Sequence, residues 1–254
     1  MPHASIRENL LRIQERIANA ATRSGRRPED ITLIGVSKTH PAIAIQEAYQ
    51  AGVRHFGENR VQEWEVKRVG TNNLAAMWHL IGHLQSNKAA KAAKLFHTVD
   101  SVDDFALAQK LDRSRAEANV SSKLRVLLEV RVAQEETKSG VEIAALPELA
   151  QKVAALPHLD LAGLMCVPPF FASVEAGLQP GQPVVASLQS AAVSPDHPVR
   201  PYFRRLRELR DDLRTKLNLP LPVLSMGMSH DFEVAIEEGA TEIRVGTALF
   251  GTRA

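Results

Sequence analysis

Cysteine is almost absent from this sequence. Cys166 stands alone, so no disulfide can form within the chain, and a disulfide-stapled secreted scaffold is excluded. An excess of either charge is missing too. Lys and Arg number 31 against 29 Asp and Glu, a net charge of +2, so nothing in the charge balance implies nucleic acid. No apolar run approaches the roughly 18 residues of a membrane span. Glu8 and Glu15 within the amphipathic start argue against a mitochondrial transit peptide, which is usually poor in acids. A cytoplasmic protein with no nucleic-acid or membrane partner is the expectation.

What is present is an ordinary globular composition, 44% hydrophobic and 24% charged, in 254 residues. Ile6, Leu10, Ile13 and Ile17 recur at helical spacing, which predicts a first helix over residues 5–23. Strand and helix patterns then alternate. Eight short strands are expected: Thr32–Ser37, Val53–Phe56, Met77–Ile81, His97–Val99, Leu124–Val132, Leu161–Cys166, Val223–Met226 and Glu242–Val245. Helical patterns fall near 41–51, 59–69, 86–95, 103–119, 145–155, 202–217 and 230–239. Eight such steps predict one α/β domain over 1–254, a (β/α)8 barrel with an extra N-terminal helix; an open α/β sheet is the alternative. Only 247–254 follow the last strand, too little for a normal eighth helix, and the first helix is expected to cover that flank. Residues 172–200, rich in Pro, Ser, Gly and Ala, are read as a long loop insertion, either a mobile surface segment or a lid.

Chemistry in such a barrel sits at the C-terminal ends of the strands. The first strand, ITLIGVS, closes on Lys38. Apolar neighbours such as Val36 would desolvate its amine, as imine formation requires, although a solvated strand-end lysine fits the same pattern. After strand seven, SMGMSHDFEVAIEEGA places Ser229 as a helix N-cap with Asp231 and Glu233 in the first turn; strand eight leads into Gly246-Thr247. Loops after these two strands often cradle phosphate. Gly227 and Gly246 allow close approach there, and Ser229 and Thr247 offer hydroxyls; a plain cap and a plain turn are the other reading, and the early acids would oppose an anion if they faced it. On strand eight, Ile243 and Val245 share one face, which leaves Arg244 directed into the barrel mouth, opposite either a carboxylate or a ligand acceptor such as a pyridine nitrogen. FGENR sets Glu58, Asn59 and Arg60 at the rim. His79 and His83, four apart on a strand and its turn, lack a third ligand and are not read as a metal site. Cys166 reads as inert packing.

GVSKTHP, HFGENRVQE, WHLIGHLQSNK, GLMCVPP, LSMGMSHDFEVAIEEGATEIRVGTALFG and the closing Arg253 together resemble the pyridoxal phosphate homeostasis protein family, among the alanine-racemase-like barrels, over nearly the whole chain. The resemblance implies pyridoxal 5′-phosphate bound as a Schiff base on Lys38, phosphate contacts around Ser229, Gly246 and Thr247, and Arg244 at the pyridine nitrogen. Asn59, Met165 and Ser225 stand in motifs that line the family's pocket. Two departures appear: Ala133-Gln134 where the family has an asparagine-containing stretch, although Glu135, Lys138 and Gly140 fit, and the length of 172–200.

An arginine at the ring nitrogen cannot accept its proton, so the cofactor's electron-sink chemistry should be weak. The tyrosine that alanine racemases, by resemblance, take from an additional C-terminal β-domain has no counterpart here: Tyr49 and Tyr202 fall in predicted helices, and the sequence closes at Ala254. A histidine or Cys166 could substitute. The expectation is therefore a carrier that buffers the cofactor and serves vitamin B6 homeostasis, a monomer that hands cofactor to apo-enzymes. An amino-acid racemase is the alternative, and a cofactor-free interaction module a third reading.

Overall fold

Short runs of Ile, Leu and Val between turn residues become strands because the alternative, an apolar segment in water, loses about 25 cal/mol per Å² of buried surface. The computed structural model describes residues 5–118, 120–133, 139–169 and 196–251. In it eight parallel strands close into a barrel in chain order: β1 Thr32–Val36, β2 His55–Glu58, β3 Met77–Leu80, β4 Thr98–Val102, β5 Leu124–Glu129, β6 Leu159–Met165, β7 Val223–Ser225 and β8 Glu242–Val245. Helices α1 Ile6–Arg23, α2 Ala42–Ala51, α3 Val61–Arg68, α4 Ala89–Leu95, α5 Phe105–Glu117, α6 Leu146–Ala154, α7 Arg200–Leu217, α8 Phe232–Glu237 and α9 Thr247–Phe250 surround it. The closed barrel replaces the open-sheet alternative, because β1 pairs with β8 over four residues. Among the described residues, no helix is long and apolar enough to cross a membrane.

The β1–β8 register decides what points inward. A side chain at Gly35, the partner of Val245, would meet Leu249 of α9 at 3.1 Å, so that face looks out to the helices. Ile34 and its partner Arg244 therefore face the barrel interior.

Helix α1 opens with a capping box between Ser5 and Glu8 and buries Leu10, Ile13, Ile17, Ala20 and Ala21. It packs on α2, α8 and α9. Asn9 Nδ2 donates to the Leu249 carbonyl at 3.0 Å, and Arg16 pairs with Glu233 at 2.7 Å. The helix thus covers the flank where β8 is followed by a helix of only 4 residues.

Some boundaries differ from the expectation. Strand β2 starts two residues late because the Val53 N–H is taken by the Ala48 carbonyl, closing α2. Strand β4 runs past Val99 to Val102, and β5 stops at Glu129, with Val130 bridging Val141 beyond it. Strand β6 begins at Leu159 and ends one residue before Cys166. Of the 172–200 insertion, residues up to 195 lie outside the described residues, as do 134–138 and Arg253.

Candidate functional site

The C-terminal ends of the strands surround a cavity of about 570 Å³. Lys38, Asn59, Ser229, Arg244, Gly246 and Thr247 all line it, although they come from four different βα junctions and one strand interior. Two expected site residues do not line it. Met165 is fully buried with Leu127, Ala162 and Val223 inside the barrel, and Ser225 is buried behind Arg244.

Lys38 stands two residues past the end of β1 and is half-buried. The next residue, Thr39, adopts a left-handed φ of 66°. For a β-branched residue that conformation costs on the order of 1–3 kcal/mol and persists only where its surroundings enforce it.

Arg244 is 4% exposed. Its Nη1 donates to Ser225 Oγ and its Nη2 to the Cys166 carbonyl, both at 2.8 Å. Both acceptors are neutral, so the guanidinium is held in place while its charge is not cancelled by contact. The carboxylate partner considered for it is not what these bonds use. Glu129, at the end of β5, also lines the cavity. Ser139 Oγ donates to its Oε1 at 2.9 Å, and its buried Oε2 has no partner among the described residues. Burial pushes this carboxyl above its usual range, with Ser139 and Arg244 opposing.

The β7–α8 junction corrects the reading of Ser229. The N-cap of α8 is Asp231, whose Oδ1 accepts the Met228 N–H at 2.6 Å. Ser229 Oγ instead accepts the Ala248 N–H at 3.3 Å, in the first turn of α9. It ties the loops after β7 and β8 together. Gly227 is also explained differently: at φ 93° a Cβ would lie 2.5 Å from that of Ala235, so the glycine lets α8 close on β7. The early acids do not crowd the mouth. Glu233 faces α1 through Arg16, and Asp231 is committed to the backbone.

Glu58 is a second correction. It is the last residue of β2, fully buried, and its two oxygens receive Lys67 Nζ at 2.9 and 3.0 Å; it is not a rim residue. Cys166 is buried, and burial pushes its thiol up to about 12, which removes it as a base at neutral pH. Tyr49 and Tyr202 lie on α2 and α7, as expected, and neither lines the cavity.

The two histidines separate. His83 lines the cavity and lies 3.6 Å from Asp103. His79 sits deeper in the barrel, its Nε2 3.0 Å from His55 Nδ1 and its Nδ1 3.3 Å from Asp100 Oδ2. One group of buried ligand-type atoms within 4.8 Å of one another is His79, Asp100 and Glu242. Burial, then the Asp100 charge, lifts Glu242 to about 7. Burial depresses His79, but Asp100 outweighs it and the net direction is up; burial, then His79, lowers His55 to about 4.

Sequence reasoning missed Glu129, Ser139, Arg131, His230 and Gly82, all at the cavity. A glutamate closing the apolar run Val126–Leu128 of β5 was a signal for Glu129. Gly82 is required because a Cβ there would meet the Asn59 carbonyl oxygen at 2.5 Å, so the loops after β2 and β3 touch beside Asn59.

Residues 5–254 match the family described as alanine racemase, N-terminal domain. The chain is 43% identical over 246 residues to the pyridoxal phosphate homeostasis protein of Aquifex aeolicus, covering 97% of each. It is 44% identical to the protein of that name from Pseudomonas aeruginosa, covering 98% of this chain and 96% of the relative. Among solved structures it resembles PipY of Synechococcus elongatus with PLP bound, at TM-score 0.74 and 37% identity, over 92% of this chain and 100% of PipY. An alanine racemase from Clostridium difficile shares the fold at TM-score 0.69 and 17% identity, with 98% of this chain matching 60% of the racemase.

Proposed function

Because the chain belongs to the pyridoxal phosphate homeostasis protein family, we infer that it binds pyridoxal 5′-phosphate and serves to hold and buffer that cofactor. The observation that carries the reading is the shared cavity: an amine on Lys38, a buried guanidinium on Arg244, and the hydroxyls of Ser229 and Thr247 on the loops after β7 and β8.

These residues fit the cofactor's chemistry. Lys38 supplies the primary amine for a Schiff base. Ser229, Gly246 and Thr247 would hold the phosphate, beside the start of α9. Arg244 would face the ring nitrogen, held there by Ser225 and the Cys166 carbonyl. Asn59 would line the pocket, and Met165 would support it from inside the barrel. When bound, the cofactor supplies an electron sink, which is strongest when its ring nitrogen is protonated. The Arg244 guanidinium offers only N–H donors and no acceptor for the ring proton, so it disfavours that state. Holding is favoured over turnover.

Purified protein mixed with the aldehyde should develop an absorbance band at about 420 nm that Lys38→Ala abolishes. Absence of the band in the unaltered protein overturns cofactor binding and leaves the interaction-module reading. The racemase alternative has one observation in its favour, since His83 and His230 line the cavity and could serve as a second base. Following α-proton exchange of amino acids in deuterated water tests it: turnover on the order of 1 per second or faster makes this an enzyme. We further infer a cytoplasmic monomer that passes cofactor to apo-enzymes; transfer that continues in the presence of an aldehyde scavenger is the expected result.

A further inference from the structure

We propose that Lys67, together with Glu58 and Glu63, is the positioning device for Lys38: it fixes the turn from which the cofactor-binding amine projects. The inference rests on the assignment of Lys38 made above.

Lys67 lies on α3, one helical turn after Glu63, and its side chain is almost wholly buried. Its ammonium is surrounded by oxygens: the Ser37 carbonyl at 2.7 Å, Glu58 Oε1 and Oε2 at 2.9 and 3.0 Å, and Glu63 Oε1 at 2.6 Å. Ser37 Oγ donates to Glu58 Oε1 at 2.7 Å, and the Thr39 N–H donates to Glu63 Oε1. The residues immediately before and after Lys38 are therefore both tied to one charged network.

Two features argue that this network is more than a fastening of α3 to β2. A buried ion pair is a poor way to join a helix to a strand, since apolar side chains of similar size do so with less desolvation. Its bonds also converge on backbone atoms of residues 37 and 39, where Thr39 holds its unfavourable left-handed φ. Released from Glu63, Thr39 can relax toward a common conformation, and that rotation redirects the Lys38 side chain above it. The consequence for function is pre-organisation: the amine waits in one direction instead of sampling several.

The test uses the full chain with pyridoxal 5′-phosphate. Glu63→Ala removes the acceptor of the Thr39 N–H, Glu63→Gln restores an oxygen there, and Glu65→Ala, on the same helix as Glu63, breaks the exposed pair with Lys91 of α4 as a control for helix stability. We expect Glu63→Ala to slow formation of the 420-nm band on the order of tenfold and to shift its pH midpoint. Glu63→Gln should recover most of the rate, and Glu65→Ala should match the unaltered protein. A Glu63→Ala protein that keeps the unaltered rate and midpoint overturns the positioning role, whatever its melting temperature. So does equal slowing by Glu65→Ala. No band in the unaltered protein is a different failure, which removes the assignment of Lys38 itself.

Discussion

The barrel interior treats charge in opposite ways at its two levels. At the mouth, Arg244 is held by two neutral oxygens and faces a cavity that Lys38 and Arg131 also line, with Glu129 the one carboxyl among the described lining residues, so the local surplus is positive. Two residues earlier on the same strand, Glu242 is buried beside Asp100 and His79, each acid has an oxygen without a partner among the described residues, and the surplus is negative. The two deficits call for different occupants. An electropositive mouth suits an anionic ligand, whereas the closed lower level is balanced by protons held on Glu242 and His79 above their ordinary ranges.

Several substitutions would break or sharpen this contrast. The largest effect is expected from Arg244→Met, which strips both Ser225 Oγ and the Cys166 carbonyl of a charged donor in a buried setting. A loss of about 3–5 kcal/mol in urea unfolding is expected; a loss below about 1 kcal/mol would mean that the guanidinium is not held as these bonds indicate.

Glu242→Gln should act in the other direction. Its folded pKa of about 7 lies above its ordinary 4.5. The folded state thus binds a proton that the unfolded state has lost, and stability falls as pH rises from about 4.5 to 7. Removing the titration should stabilise by about 2–3 kcal/mol at pH 8 and by little at pH 5. His55, lowered to about 4, has the opposite slope between about 4 and 6.5 and offsets part of this loss there. A variant with the same stability as the parent at pH 8 would remove the lower level from this account.

Asp100→Asn removes the charge that raises both His79 and Glu242, and both midpoints should drop in an NMR titration. The smallest effect belongs to Ser229→Ala. Losing the bond to the Ala248 N–H should cost about 0.5–1 kcal/mol and increase amide exchange in α9, not α8. Faster exchange in α8 instead would restore Ser229 to the helix that sequence spacing suggested.

The sequence was most informative where the chemistry is local. Alternating apolar runs, Gly and Pro turns and the Ile-Leu stripe of α1 located every strand and the covering helix, because each depends on neighbours a few residues away. Arg244 was legible because a strand's period of two fixes which side chains reach the mouth, and Lys38, Gly246 and Thr247 because they lie just past strand ends. Legibility failed where the partner is distant. Ser229 has the right chemistry for a cap, but the N–H it serves is 19 residues away, beyond β8. Glu58 looked like a rim residue because Lys67, which explains its burial, lies on the following helix. Glu129 and Glu242 are buried acids on barrel strands, yet which level each occupies depends on register across the closed barrel.

The pairing of β1 with β8 has a temporal consequence. Lys38 leaves the ribosome well before Arg244, Gly246 and Thr247 do. A nascent chain therefore carries the amine proposed to bind the cofactor before the loops proposed to hold its phosphate. Aldehyde capture becomes a property of the completed ring, and arrested or C-terminally clipped chains should leave the cofactor untouched.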